Sequence, residues 1–429
     1  MNPVDENTQA LVIGLHRRRG DVRGAQAQYD ACRALLRMEL DVAPGAAVES
    51  ALREELPSSA PIVNRASVEA ILEAGSAAVA AGATSSGVAS LRTAVRLADA
   101  AADPTLQMSS RLVLAEALIH SIRGLDEEGI AALHAADRIA DEHGDHVVMA
   151  EARTELGYVD FLRARYERSE HWLTGAIDLA AGAPSATARA LMYLGSVESD
   201  RADYRGSLVR LEQAADLLRG TREGRRLGYV LSMQGRVHLL RGDLPEAVRA
   251  LTDSIAEAER DRWLAFLPWP QALLGEAELL QGRADMAGDL LDQAFARACQ
   301  LGDPCWEGVS ARGNALVADA QGDPNRAFDL LADARLRCNR LADPYVWLDA
   351  YILDAQCTLG RAHGHPDTVQ WVDAMQTLAA RTAMREMIVR SLLHGAALGD
   401  PDAARAAAFM AEGLENPVVQ ALVAVAAEG

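Results

Sequence analysis

Lysine is missing from this chain: all 42 basic residues among its 429 are arginine. A P-loop that reaches nucleotide phosphates with a lysine is therefore excluded, and no G-x-x-x-x-G-K-[ST] run occurs. Schiff-base chemistry and lysine general bases fall with it. A GC-rich coding sequence explains the arginine bias, but the chemical exclusions hold whatever its cause. Aromatic residues are scarce at 4%, although half the chain is apolar. A core of Ala and Leu with few rings suits closely packed helices better than a sandwich or barrel. The five cysteines, Cys32, Cys299, Cys305, Cys338 and Cys357, are odd in number and lack CxxC spacing. Buried free thiols in a reducing compartment are expected, not disulfides or a zinc site. No uninterrupted 18-residue apolar run exists, and the start MNPVDENTQA lacks the basic-then-apolar pattern of a signal peptide. The expectation is a cytoplasmic protein with no membrane partner. Positive charge is also in deficit. A net charge of −19 and a pI near 5.0 argue against direct nucleic-acid binding, which needs clustered cations.

What is present is a period. A chain of this length exceeds one ordinary core, so several domains or a solenoid are expected. Small residues t between apolar-periodic stretches fall at Gly82, Gly124, Ala164, Ala202, Gly242, Gly282 and Gly322, 38 to 42 residues apart. At t+5 stand Gly87, Gly129, Ser169, Ser207, Ala247, Ala287 and Ala327. At t+9 stand seven leucines, from Leu91 and Leu133 to Leu291 and Leu331, and at t+12 stand Ala or Ser. Spacings of four and three put these positions on one helix face. Seven residues before each turn stands Gly or Ala: Gly75, Ala117, Gly157, Gly195, Gly235, Gly275 and Ala315. Mid-helix Gly costs about 1 kcal/mol against Ala, so its recurrence implies close contact. Each unit reads as a helical hairpin whose arms touch at small residues. Loops such as AADP (101–104), LGDP (301–304) and LADP (341–344) separate the units, with Asp and Pro suited to open the next helix. No stretch alternates as a strand would. Beyond Gly322 the frame weakens. A turn at Gly364 is followed by Asp373 and Gln376 at the core positions, and one near Gly399 only by alanines, so atypical terminal repeats are expected.

The frame resembles the tetratricopeptide repeat (TPR) consensus over roughly residues 67–415, most closely in GRVHLLRGDLPEAVRALTDS (235–254). There Gly235, Gly242, Ala247 and Leu251 match the family's Gly, turn-Gly, Ala and large apolar positions. The consensus unit has 34 residues. Units of about 40 look like the longer TPRs of large bacterial regulators of the maltose-regulon activator type. The resemblance implies an all-α fold, a right-handed superhelical solenoid of TPR-like hairpins.

The first sixty residues carry a second resemblance. Pro3-Val4-Asp5-Glu6, the turn Gly20-Asp21, Ala25 with Tyr29, and Glu39-Leu40-Asp41-Val42-Ala43-Pro44 look like the second half of the bacterial transcriptional activation domain of antibiotic regulatory proteins. Asp41 stands where that family has Gly. Gly20 also fits the repeat frame, with Ala25, Tyr29 and Cys32 at t+5, t+9 and t+12. The expected organisation is therefore 1–56 as a partial activation domain, 57–66 as a linker containing PSSAP, and 67–429 as the repeat array. In that family a winged-helix DNA-binding domain comes first, and its absence here implies a truncated regulator or one acting without its own DNA contact.

Candidate sites follow from the solenoid. The TPR resemblance implies that t−13, t−10 and t−6 of each first helix face a concave groove. This gives Glu151, Thr154 and Tyr158; Arg189, Met192 and Ser196; Tyr229, Ser232 and Arg236; Trp269, Ala272 and Glu276; and Val309, Arg312 and Leu316. Tyr158, Arg189, Met192, Tyr229, Arg236, Trp269, Glu276 and Arg312 form the candidate binding set, since Arg interleaved with Tyr and Trp suits an acidic or carboxylate-ended peptide. Trp263, Phe266 and Trp269, between prolines in RDRWLAFLPWPQ (260–271), read as a packed inter-repeat corner before an exposed hot spot. The pairs His143/His146 and His363/His365 lack a third metal ligand and read as solvated loop residues. Short basic runs at Arg17-Arg18-Arg19 and Arg222 to Arg226 read as solvated helix ends. No nucleophile–base–orienter set can be assembled, so no enzyme activity, metal or cofactor is expected. The expected function is the C-terminal regulatory region of a bacterial transcriptional activator that binds a protein or small effector. The rival is a free-standing TPR adaptor that scaffolds protein complexes. The coding sequence upstream of Met1 separates the two: an in-frame winged-helix module supports the regulator.

Overall fold

The computed structural model describes residues 5–18, 21–53, 65–81, 83–121, 126–341 and 344–428. The fold is all-α: among the described residues there are 22 helices, which take up 83% of them, and no strand. The chain divides into two compact units, residues 1–64 and 65–429. The expected linker lies outside the described residues as far as 64, and Arg65 opens a helix.

The first unit packs α1 (Glu6–Arg18), α2 (Val22–Leu40) and α3 (Ala46–Arg53) around Ile13, Ala25, Cys32, Leu36 and Val48. Asp21 caps α2 by accepting from Gly24 N at 2.8 Å. Asp41 closes α2 in the left-handed region at φ 53°. Pro3 and Val4 lie outside the described residues.

The second unit is a run of helical hairpins. They pair α4 (Arg65–Ala80) with α5 (Thr84–Ala101), α6 (Pro104–Ser121) with α7 (Asp126–His143), and α8 (His146–Leu162) with α9 (Tyr166–Leu179). Next come α10 (Pro184–Asp200) with α11 (Tyr204–Leu218), α12 (Gly224–Arg241) with α13 (Leu244–Arg260), and α14 (Pro268–Leu280) with α15 (Ala284–Leu301). Then follow α16 (Pro304–Ala320) with α17 (Pro324–Cys338), α18 (Val346–His363) with α19 (Thr368–Thr382), and α20 (Arg385–Ala397) with α21 (Ala403–Met410). A single helix, α22 (Pro417–Glu428), comes last.

The frame of small residues around a leucine is what closes each hairpin. All seven t+9 leucines are fully buried, and the t+12 Ala or Ser beside each is buried with it. A Cβ added at Gly157, Gly195, Gly235 or Gly275 would lie 2.5–2.8 Å from the leucine of the opposite arm. Glycine is required there by that close approach. Where t+5 is serine, the hydroxyl also bonds across the hairpin, Ser169 to Gly157 O at 2.6 Å and Ser207 to Gly195 O at 2.7 Å. Turns Gly242, Gly282 and Gly322 have positive φ, and so do Ala164 and Ala202 at 53° and 64°. Gly82 and Gly124 lie outside the described residues. Asp303 opens α16 as expected, accepting from Cys305 N and Trp306 N.

The last hairpins keep the architecture with the frame displaced. After Gly364 the buried positions are Thr368, Val372, Met375 and Ala379, and after Gly399 they are Ala403, Ala407 and Ala411. Both turns carry a Pro-Asp before the helix, at 366–367 and 401–402; the helix starts later than in the other repeats, and the first two buried positions lie one residue nearer the turn. Asp373 and Gln376 thus leave the core line. None of the cysteines is in a disulfide among the described residues; Cys32, Cys305, Cys338 and Cys357 are buried, whereas Cys299 is exposed. No helix among the described residues is long and apolar enough to cross a membrane.

Candidate binding surface

From α8 to α16 the first helix of each hairpin buries its t−13, t−9 and t−6 positions wholly or partly on the inside of the superhelix, and that inside is filled, whereas α4 leaves Glu69, Glu73 and Ser76 exposed. Aromatic rings form a closed circuit there. Tyr158 lies 4.5 Å from Tyr193, Tyr193 5.8 Å from Tyr229, and Tyr229 6.1 Å from Phe266. Phe266 contacts Trp306, Trp306 contacts Trp269, and Trp269 contacts Tyr345 at 6.4 Å. Tyr345 then meets Phe161 at 5.2 Å, and Phe161 returns to Tyr158 at 6.0 Å. The superhelix coils tightly enough for its inner face to touch itself across more than four repeats.

Arg236 sits at this meeting point, with relative exposure of 0%. Its guanidinium donates to Asp200 Oδ1 at 2.5 Å, Ser199 Oγ at 2.7 Å and the Tyr345 hydroxyl at 2.6 Å, and it lies 4.2 Å over the Trp347 ring. Tyr345 and Tyr166 both donate to the same Asp200 carboxylate. Arg312 is held in the same manner. It bonds Glu276 at 2.7 Å and Tyr351 O at 3.0 Å and stacks on the Tyr351 ring, whose hydroxyl donates to Glu276. Buried cations of this kind need a partner, and each has one from its own chain.

A second seam lies nearby. Tyr204 donates to Glu386, Asn416 Nδ2 donates to Glu386 at 2.9 Å and to Leu240 O at 3.2 Å, and all four residues are buried. Helices α20 and α22 are thereby fastened to α11 and α12. Asp354 pairs with Arg390 and His394 beside it. Burial alone would raise the Asp354 carboxyl, but Arg390 and the His394 hydrogen bond outweigh it and hold it down to about 2.

At its N-terminal mouth the inner face reaches solvent. Arg189 bridges Glu155 at 2.8 Å and Glu116 at 3.4 Å, and His120 bonds Glu155 at 2.7 Å while stacking on Tyr158 at 4.7 Å. Glu155 is enclosed. Burial would raise it, yet Arg189 and His120 hold it near 2. Around it Glu116 is 58%, His120 28% and Arg226 30% exposed. Burial pushes the neighbouring Glu151 carboxyl up, against the pull of Arg189.

The structure therefore gathers the candidate residues into two places. Tyr158 and Arg189 belong to the mouth, and half-buried Tyr229 lies between mouth and interior, 3.3 Å from Ser196. Met192, Arg236, Trp269, Glu276 and Arg312 are packed inside. The positive charge expected to hold an acidic peptide is neutralised by Glu155, Asp200 and Glu276, which leaves those arginines no free fork for a ligand carboxylate. Residues missed by the sequence reading are His120, Glu155, Tyr193, Asp200 and Tyr345. Glu155 and Tyr193 occupy t−9 and Asp200 t−2, which continue the t−13, t−6 stripe, so helical spacing could have found them. His120 and Tyr345 stand off that stripe and had no such signal. The Trp263–Phe266 stack, at 4.1 Å, forms a packed corner with Phe266 and Trp269 buried. His143 bonds Ile139 O and His363 bonds Asp319, and among the described residues no three His, Cys, Asp or Glu converge on a metal position.

No family model and no curated protein matches the chain. Solved structures do. A Rap protein complexed with competence and sporulation factor is 12% identical, covers 84% of this chain and 99% of its own, and has a TM-score of 0.56. Aspartyl phosphate phosphatase F from Bacillus subtilis is 11% identical over 89% of this chain and 94% of its own, with a TM-score of 0.48. The apo form of the quorum sensor NprR from B. thuringiensis is 12% identical over 84% and 99%, with a TM-score of 0.46. What the likeness to the Rap protein establishes is the fold: a solenoid of TPR-like helical repeats.

Proposed function

We propose that this chain is a partner-binding regulatory region of a bacterial transcriptional activator, receiving a protein or peptide at the N-terminal mouth of its inner face. The observation that carries the reading is the His120–Glu155–Arg189–Tyr158 cluster. Its buried members hold one another in place while Glu116, His120 and Arg226 still meet solvent. A preorganised polar rim over an aromatic floor is what recognition of a polar segment requires. Deeper along the superhelix the inner face is sealed, so a partner reaches the mouth without opening repeats. The similar Rap structure is a complex with a factor, which supports recognition as the use of such a scaffold. The link to transcription is supported by the activation-domain resemblance of residues 3–56. No catalytic step, metal or cofactor enters this reading.

The test uses the full chain. Partners captured from native lysate are identified and purified, and their affinity is measured calorimetrically against wild type, Glu116→Gln and Arg226→Gln. Both substitutions alter solvent-reaching groups, so the fold is preserved, and a loss of about tenfold or more is expected. Unchanged affinity in both variants removes the mouth as the site. Fusion of the chain to an unrelated winged-helix domain, with a reporter gene, tests the second half. Partner-dependent transcription supports the regulator, and its absence favours the adaptor.

A further inference from the structure

Between the α10–α11 turn and helices α20–α22 lies an open cleft of about 610 Å³, within the range of small-ligand and peptide sites. Val197, Ile388 and Met410 give it apolar walls. Two of its three arginines are engaged, and the third, Arg205, is largely exposed. Arg201 holds Glu170 at 2.7 Å, Arg385 donates to Met410 O at 3.0 Å, and Arg205 reaches toward Glu415 at 3.9 Å. Glu198, also in the lining, is not matched in this way. Its Oε1 is 3.5 Å from Arg210 Nε, the limit of a hydrogen bond, and its Oε2 is enclosed with no partner among the described residues. An enclosed acceptor left unpaired is costly, and more so when it carries charge.

The chemistry that satisfies Glu198 is a cation. Arg210 approaches it only at the limit of a hydrogen bond, and the chain's charge of −19 draws cations from solution. We propose that the cleft is a second binding site, which takes a peptide with a basic side chain, the apolar walls holding the peptide and Glu198 pairing with its charge. The groups facing Glu198 fit this assignment. Arg210 on α11 is the weak existing partner, Asp203 in the turn and Glu170 on α9 are like-charged, and Arg201 is engaged by Glu170. Burial, reinforced by Asp203 and Glu170 and opposed by Arg210, pushes the Glu198 carboxyl up to about 7. A bound cation ionises it, so binding near neutral pH releases a proton. The site is separate from the mouth and stands without it.

The experiment titrates the full chain with acetyl-Leu-Lys-Leu-amide and with its neutral counterpart acetyl-Leu-Gln-Leu-amide. The Lys probe is expected to bind about tenfold or more tightly than the Gln probe. It should lose that advantage in Glu198→Gln and release a proton when titrated at pH 7 in buffers of different ionisation enthalpy. A measurement on the unsubstituted protein accompanies the variant. With 13C-methyl methionine labelling, and Met410→Leu to assign the signal, the Met410 resonance should move with the Lys probe and stay with the Gln probe. Equal binding of the two probes, binding undiminished in Glu198→Gln, or an unmoved Met410 signal overturns the proposal. Glu116→Gln and Arg226→Gln should leave this titration unchanged, so failure of the mouth and failure of the cleft read separately.

Discussion

At the scale of single residues, the hairpins turn on whether a methyl group fits between glycine and leucine. In Gly235→Ala the new Cβ would meet Leu251 Cγ at 2.5 Å and the Leu251 amide nitrogen at 3.3 Å. Overpacking of this kind costs about 1–3 kcal/mol and outweighs the ~1 kcal/mol of helix propensity that alanine brings. Gly175, also within a helix, has nothing within 4 Å of its added Cβ. Thermal unfolding followed by circular dichroism should therefore show Gly235→Ala destabilised and Gly175→Ala stabilised by up to about 1 kcal/mol. Ionised side chains make a second residue-scale prediction. Glu155 and Asp354, whose ordinary values are 4.5 and 3.8, are both held near 2 in the folded state. A depressed carboxyl contributes fully above its unfolded pKa, and the contribution is lost as pH falls through the folded value. Urea unfolding should give constant stability from these two groups above about pH 5. On the order of 2–3 kcal/mol from each should disappear between about pH 4.5 and 2. Asp354→Asn should flatten part of that slope.

At the scale of the element, the turn decides how one helix hands over to the next. Ala202 occupies the left-handed region at φ 64°, where the equivalent residues of later repeats are Gly242, Gly282 and Gly322. A non-glycine residue there costs about 1–2 kcal/mol, which glycine avoids at the expense of a more flexible unfolded chain. Ala202→Gly should raise the unfolding midpoint, worth about 0.5–1 kcal/mol in denaturant titration, whereas Gly242→Ala should lower it by a similar amount. The last repeats differ at the same element: after the Pro-Asp turn α19 begins at Thr368, and Val372 and Met375, rather than Asp373 and Gln376, meet the core.

At the scale of the whole repeat unit, closure is the defining event. Residues 182 and 176 positions apart are joined when Tyr204 meets Glu386 and Asn416 meets Leu240. A solenoid bound only by neighbouring repeats would flex along its length, whereas these bonds brace it across its axis. The double variant Glu386→Ala, Asn416→Ala removes the brace while keeping each hairpin's small-residue frame. Its radius of gyration in small-angle scattering should increase with helical content unchanged, and amide exchange in α20–α22 should quicken. An unchanged scattering profile would mean that this seam does not set the curvature.

The sequence by itself determined the helices, the hairpin pairing, the turn positions and the burial of Leu91 to Leu331. Each of these depends on residues within about forty positions, and helical spacing exposes them directly. It also exposed the inner stripe, though t−9 and t−2 had to be added to reach Glu155, Tyr193 and Asp200. Which inner residues meet was decided only by the tertiary structure. The rotation from one repeat to the next is small, and its sum over four or five repeats brings Tyr345 onto Phe161 and Arg236. No local pattern records that sum. Arg236 and Arg312 therefore read in sequence as cations facing a groove, and in the folded chain as buried partners of Asp200 and Glu276.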